Sequence, residues 1–242
     1  MYEVASGLLE VFSAVFQGYC LQYFFGSFLE TRIRNRRIGV LAVTALYGVL
    51  RLGMGFFLPK GYTSFGVFAR LAVILCIVSV TALVFYRVLG KIALFLIVTF
   101  MAVGEMSFFL AHMLFELGNQ LFRLWDWCLG NGYISSLEFY NFVVSITLIG
   151  NQILFCVIGA AVLYFTLRRV VQDYREKEYA VHRTELLFIL TPGMTGLMVC
   201  TLLRITIDTA ENGVPETLYD RYPSLMVIMP VILLLLLFSV MF

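Results

Sequence analysis

The stretch Ile92–Leu114, IALFLIVTFMAVGEMSFFLAHML, decides the fold. It stays apolar for 23 residues, interrupted by one carboxylate, Glu105, and one imidazole, His112, and it follows the cations Arg87 and Lys91. A helix rises about 1.5 Å per residue, so about 20 residues cross a hydrocarbon core of about 30 Å. Six other runs meet the same requirement: Ala5–Phe28, Ile38–Leu58, Phe65–Tyr86, Asn141–Leu167, Leu186–Ile207 and Leu225–Phe242. In lipid, only helices and closed barrels satisfy their own backbone hydrogen bonds. Barrel strands would appear as short alternating segments, whereas these runs are long and continuous. The expected fold is an all-α integral membrane protein, a single bundle of about seven transmembrane helices over residues 1–242.

Composition supports this reading. The chain is 61% hydrophobic and 13% charged, too apolar for a soluble domain to bury. The distribution of charge carries more than the net +2. Arg32, Arg34, Arg36 and Arg37 fill the first connection, Arg87 and Lys91 the third, and Arg168, Arg169, Arg175, Lys177 and Arg183 the fifth, together 11 of 17 basic residues. The N-terminus and the even-numbered connections hold mostly acid: Glu3, Glu116, Asp126, Glu138, Glu211, Glu216 and Asp220. The positive-inside rule then places the arginine connections in the cytoplasm, the N-terminus outside and the C-terminus inside. The expected location is the inner (plasma) membrane of the cell, crossed several times. Met1-Tyr2-Glu3 has no basic leader region, so the first run reads as a retained span.

Residues 115–140 read as a long outer loop. Its aromatic residues Phe122, Trp125, Trp127 and Tyr133 suggest an interfacial helix or turn, and Gly130-Asn131-Gly132 is a turn signal. The fifth connection mixes charges at helical spacing and is expected to prolong the fifth span into the cytoplasm. Thr191-Pro192-Gly193 with Gly196 predicts a packing kink in the sixth span, and Pro230 a bend in the seventh. The five cysteines, Cys20, Cys76, Cys128, Cys156 and Cys200, have neither disulfide nor metal spacing and read as free thiols in packing positions.

Ionisable groups inside spans cost several kcal/mol (about 3 or more) unless paired or hydrated, so each is a candidate site residue. Glu10, Arg51, Arg70, Glu105, Arg204 and Asp208 are these groups, and by helix rise all lie in the outer half. With His112 they form the candidate ligand-binding set. Glu10, Ser13 and Gln17 share one face of the first span, Glu105 and His112 one face of the fourth, and Asn141, Ser145 and Gln152 a stripe on the fifth. Arg204 and Asp208, four apart, can pair directly. Glu105 and Arg51 lie at matching depth and can pair across helices. Such pairs can serve packing alone, or they can wall a polar pocket open to the outside. A pocket with both charges and many aromatic residues suits a peptide or a small amphipathic ligand.

No catalytic residues, metal ligands or cofactor motifs stand out. One histidine without clustered cysteine or carboxylate is not a metal site, and no phosphate-binding glycine loop or basic nucleic-acid surface is present.

Two stretches, ELLFILTPGMTG at Glu185–Gly196 and LYDRYP at Leu218–Pro223, resemble the membrane region of bacterial sensor histidine kinases of the GHKL type, similar to the accessory-gene-regulator peptide receptors. The resemblance implies the sensing module of a two-component system, followed in the full-length protein by a dimerisation helix and an ATP-binding kinase domain. The last run ends while still apolar, which fits a chain that continues. It implies homodimerisation through the full-length protein, and a segment that is not itself an enzyme. A membrane transporter, or a transporter's membrane subunit, is the alternative. The odd span count, the lack of visible repeats and the charge-free inner half weigh against that alternative.

Overall fold

The computed structural model describes residues 2–33, 35–57, 64–87, 90–133, 136–176, 183–211 and 224–241. Seven helices occupy these residues: α1 Tyr2–Phe28, α2 Arg36–Phe57, α3 Ser64–Phe85, α4 Gly90–Gly130, α5 Leu137–Glu176, α6 Arg183–Glu211 and α7 Leu225–Met241. No strand occurs among them, only one isolated bridge between Thr31 and Tyr86. Five stretches are long and apolar enough to cross a membrane: Val4–Phe28, Arg37–Met54, Gly66–Phe85, Ile92–Phe115 and Glu138–Asp173. This is the architecture of a multi-pass membrane protein. The apolar stretches of α6, Leu190–Thr206, and of α7, Val227–Met241, are shorter.

Residues 115–140 depart from expectation. The structure has little loop there: α4 continues as one helix of 41 residues to Gly130, and α5 starts at Leu137. Polar residues such as Asp126 end the apolar run but not the helix, because water and lipid permit the same backbone hydrogen bonds. The turn falls where Gly130-Asn131-Gly132 predicts it. Gly132 has φ +76°, a left-handed conformation that glycine adopts without a Cβ clash. Tyr133 N–H donates to Cys128 O at 3.0 Å and Gly132 N–H to Leu129 O at 3.1 Å, the paired bonds of a Schellman cap. Tyr133 stacks on Trp127, and Tyr140 Oη bonds Asp126 Oδ1 across the hairpin. Ser136 Oγ accepts from the Phe139 amide and caps the start of α5.

Cross-helix contacts give the directions. Gly18 meets Thr44 and Gly48 meets Val15, so α1 and α2 are antiparallel. Ser6 meets Gln152 and Tyr23 meets Tyr164, so α1 and α5 run parallel. Ala102 meets Gly193 and Met106 meets Gly196, so α4 and α6 run parallel. The first and third connections are stitched together: Arg32 N–H donates to Phe85 O (2.8 Å), Arg87 N–H to Glu30 O (3.0 Å) and Arg32 Nε to Tyr86 O (3.1 Å). Val171, on the part of α5 that prolongs it past the apolar run, lines a cleft with Glu30 and Thr31 at the same end. Arginine-bearing segments from three connections thus meet at one end of the bundle. The prolonged α5 carries an Arg169–Asp173 pair one turn apart (3.4 Å).

The core gathers on α4, which packs against α1, α3, α5, α6 and α7. Leu96, Ala102, Val103 and Met106 on α4 are fully buried. α6 runs helically through Pro192, and Thr195 Oγ1 donates to the Thr191 carbonyl at 2.9 Å. Gly196 serves close approach: a Cβ there would overlap the buried Met106 sulfur. Pro230 likewise lies within α7. Cys128 lies on the α4 extension rather than in a loop. The five thiols are free, with Cys20 and Cys200 buried.

Candidate functional site

A cavity of about 330 Å³ opens among α1, α2, α3, α4, α5 and α6, on the side of the bundle away from the stitched arginine end. Glu10, Arg51, Arg70 and Arg204 all line it. So do Ser6, Ser13 and Gln17, which with Glu10 form one stripe of α1, and Gln152 from α5. The apolar part of the wall comes from Leu9, Ala14, Leu52, Phe108 and Phe155.

Glu105 lies behind this wall. It shares a small cavity of about 40 Å³ with Gln17, Tyr47, Arg51 and Arg204. Its partner is Arg204 of α6, with Nη2 and Oε2 at 2.8 Å. Both side chains are nearly enclosed, at 14% and 12% exposure, so the ions are removed from solvent together. The Arg204 guanidinium also lies over the rings of Phe108 (5.2 Å) and Phe109 (5.5 Å), within cation–π range. This corrects one pairing expected from depth: Glu105 pairs with Arg204 of α6 rather than with Arg51. Depth and spacing cannot show which faces meet, and α6 packs against α4. The Asp208 side chain lies outside the described residues.

Arg51 sits one turn above Tyr47 on α2 and reaches the Met54 sulfur at 3.8 Å, a weak acceptor. Tyr47, 2% exposed, donates its hydroxyl to Gln17 Oε1 at 3.4 Å. Gln152 Nε2 donates to Ser6 Oγ at 2.9 Å, and the other end of that amide, Oε1, is buried without a hydrogen-bond partner.

His112 does not line the cavity. It stands in an aromatic stack, 6.2 Å from Phe108 and 6.4 Å from Phe115, with ring planes 10° and 16° apart. Of the expected α5 stripe, Gln152 reaches the site while Asn141 and Ser145 are exposed on the outside. Among the described residues no group of three His, Cys, Asp or Glu side chains is placed to hold a metal ion.

The sequence reading missed Ser6, Tyr47 and Asn151. Ser6 was legible, since it stands four residues before Glu10 on the same face, and Tyr47 stands four before Arg51. Asn151, which donates to the Phe115 carbonyl at 3.0 Å, had no signal beyond its neighbour Gln152.

Comparison of the chain with protein-family models, curated proteins and solved structures finds no match.

Proposed function

We propose that the chain is the transmembrane sensing module of a bacterial two-component sensor histidine kinase. In this reading all seven helices cross the plasma membrane, with the N-terminus outside and the arginine end in the cytoplasm. An extracellular peptide or small amphipathic molecule binds the cavity enclosed by α1 to α6. The observation that carries the reading is the convergence of Glu10, Arg51, Arg70 and Arg204, from four helices, on one open cavity. Charges at membrane depth are costly unless paired or hydrated, so a cluster of them marks a candidate pathway or site. A shift of α6, tied to α4 by Glu105–Arg204 and shaped by Pro192, would pass the signal to α7 and onward to a dimeric kinase. The kinase assignment rests on the resemblance of Glu185–Gly196. The second motif, residues 218–223, lies outside the described residues.

Labelling tests the orientation. In a cysteine-free background, a cysteine at Asn131 should react with an impermeant maleimide on whole cells and one at Arg87 only after lysis; the reverse pattern sinks the orientation. Sequencing past codon 242 tests the kinase. An ATP-binding domain is expected there, and a stop codon beside an ATPase gene moves the function to transport.

One observation favours the transport alternative. A second, larger cleft, about 830 Å³, opens at the arginine end and is lined by Gln22, Ser27, Glu30 and Val171. α1 lines both openings, with buried Cys20 and Leu21 between them. Alternating access needs an opening on each side of a closed core. Saturable substrate flux in proteoliposomes would decide for it.

A further inference from the structure

The charge pattern of the outer cavity narrows its ligand, an argument that rests on the binding reading above. Among the described residues, three arginines and two carboxylates face this region: Arg51, Arg70 and Arg204 against Glu10 and Glu105. Glu105 is committed to Arg204 at 2.8 Å. Arg51 is partly buried, its hydrogen bond goes to the Met54 sulfur at 3.8 Å, and no described carboxylate lies within ion-pair distance of it. A cation at this depth gains most from an anion brought by a ligand, because charge-assisted hydrogen bonds strengthen where water is scarce. Across the same cavity, Gln152 uses one end of its amide on Ser6 and leaves the other buried and unpartnered. Such an atom costs free energy until a donor reaches it.

We infer that the outer cavity takes a ligand with an anionic group, which Arg51 neutralises, an N–H or O–H for the Gln152 carbonyl, and an apolar or aromatic body against Phe108 and Phe155. A carboxylate on a small acylated amino acid or peptide has this chemistry. A lipid phosphate reaching in from the bilayer supplies the same anion.

The test uses the whole chain in nanodiscs with N-acetyl-L-phenylalanine and its amide, read by thermal stabilisation. The acid should bind about tenfold tighter than the amide, the value of one charge-assisted contact. Arg51→Gln should erase that difference while leaving amide binding and the unliganded melting temperature unchanged. If acid binding is seen in phosphatidylcholine discs and is suppressed in phosphatidylglycerol discs, the site binds anions and lipid is the resident source of the anion. Equal affinity for acid and amide overturns the charge assignment and leaves the cavity reading standing. No saturable binding of the acid in either disc overturns the inference, as does a melting temperature of Arg51→Gln as low as that of Arg204→Met. The sensing reading fails by a different route: filling the cavity with Ser13→Trp would leave signalling by the full-length protein intact.

Discussion

α4 and α5 are of nearly equal length, 41 and 40 residues, and their apolar windows have the same mean hydropathy, 2.1. Yet 61% of the α4 window is buried inside the protein and only 11% of the α5 window. Lipid tails and protein interiors are equally apolar, so hydropathy cannot separate a central membrane helix from a peripheral one. Size and polarity of side chains separate them, because helices in lipid associate through close packing and hydrogen bonds. α4 meets its neighbours through Ala102, Glu105, Ser107 and Ala111. α5 turns Phe142, Ile146, Ile153, Leu154, Val157 and Phe165 outward. Its inward contacts lie on one face, Gly159 against Ala111, Asn151 against Phe115 and Tyr164 against Tyr23.

The sharpest way to break this contrast is to remove one charge from the centre of α4. Glu105→Ala leaves Arg204 buried without its anion and should cost about 3 kcal/mol, measured by thermal unfolding in detergent or nanodiscs. Glu105→Gln combined with Arg204→Met should recover most of the loss. A double variant as unstable as the single one would show that the pair is not the source.

Steric effects come next. Gly196→Leu would drive side-chain atoms into Met106 on α4 and should cost about 2 kcal/mol. On α5, Gly150 has open space around its Cβ position, so Gly150→Ala should be neutral or stabilise by up to about 1 kcal/mol through helix propensity. Equal losses at the two sites would erase the distinction between central and peripheral helix.

The shared end of the two helices should give a smaller, local effect. Gly132→Val forces a β-branched residue into φ +76° and should cost about 1 kcal/mol, seen as faster hydrogen exchange at residues 127–140 while the rest of the bundle is unchanged. Smallest of all, Ile146→Ala on the outer face of α5 should stay within about 0.5 kcal/mol, since the lost contacts are with lipid rather than protein.

Much of this molecule was written in the chain. Apolar run length set the helices: each of the seven expected runs falls on one helix, and the fourth and fifth, Ile92–Leu114 and Asn141–Leu167, lie wholly inside helices of 41 and 40 residues. Glycine chemistry set the turn at Gly132, and helical spacing put Glu10, Ser13 and Gln17 on one cavity wall. These are local properties, decided by backbone hydrogen bonding and the period of the helix. Run length said nothing of where α4 stops, because a helix outlasts its apolar stretch. Tertiary structure alone decided that α4 is central, that Glu105 takes Arg204, that His112 joins a ring stack behind Phe108, and that Arg51 and Gln152 line one cavity with polar capacity unmet. Those outcomes depend on which helix faces meet, and side chains that look alike along the sequence become distinct only when a neighbouring helix covers one and leaves the other open.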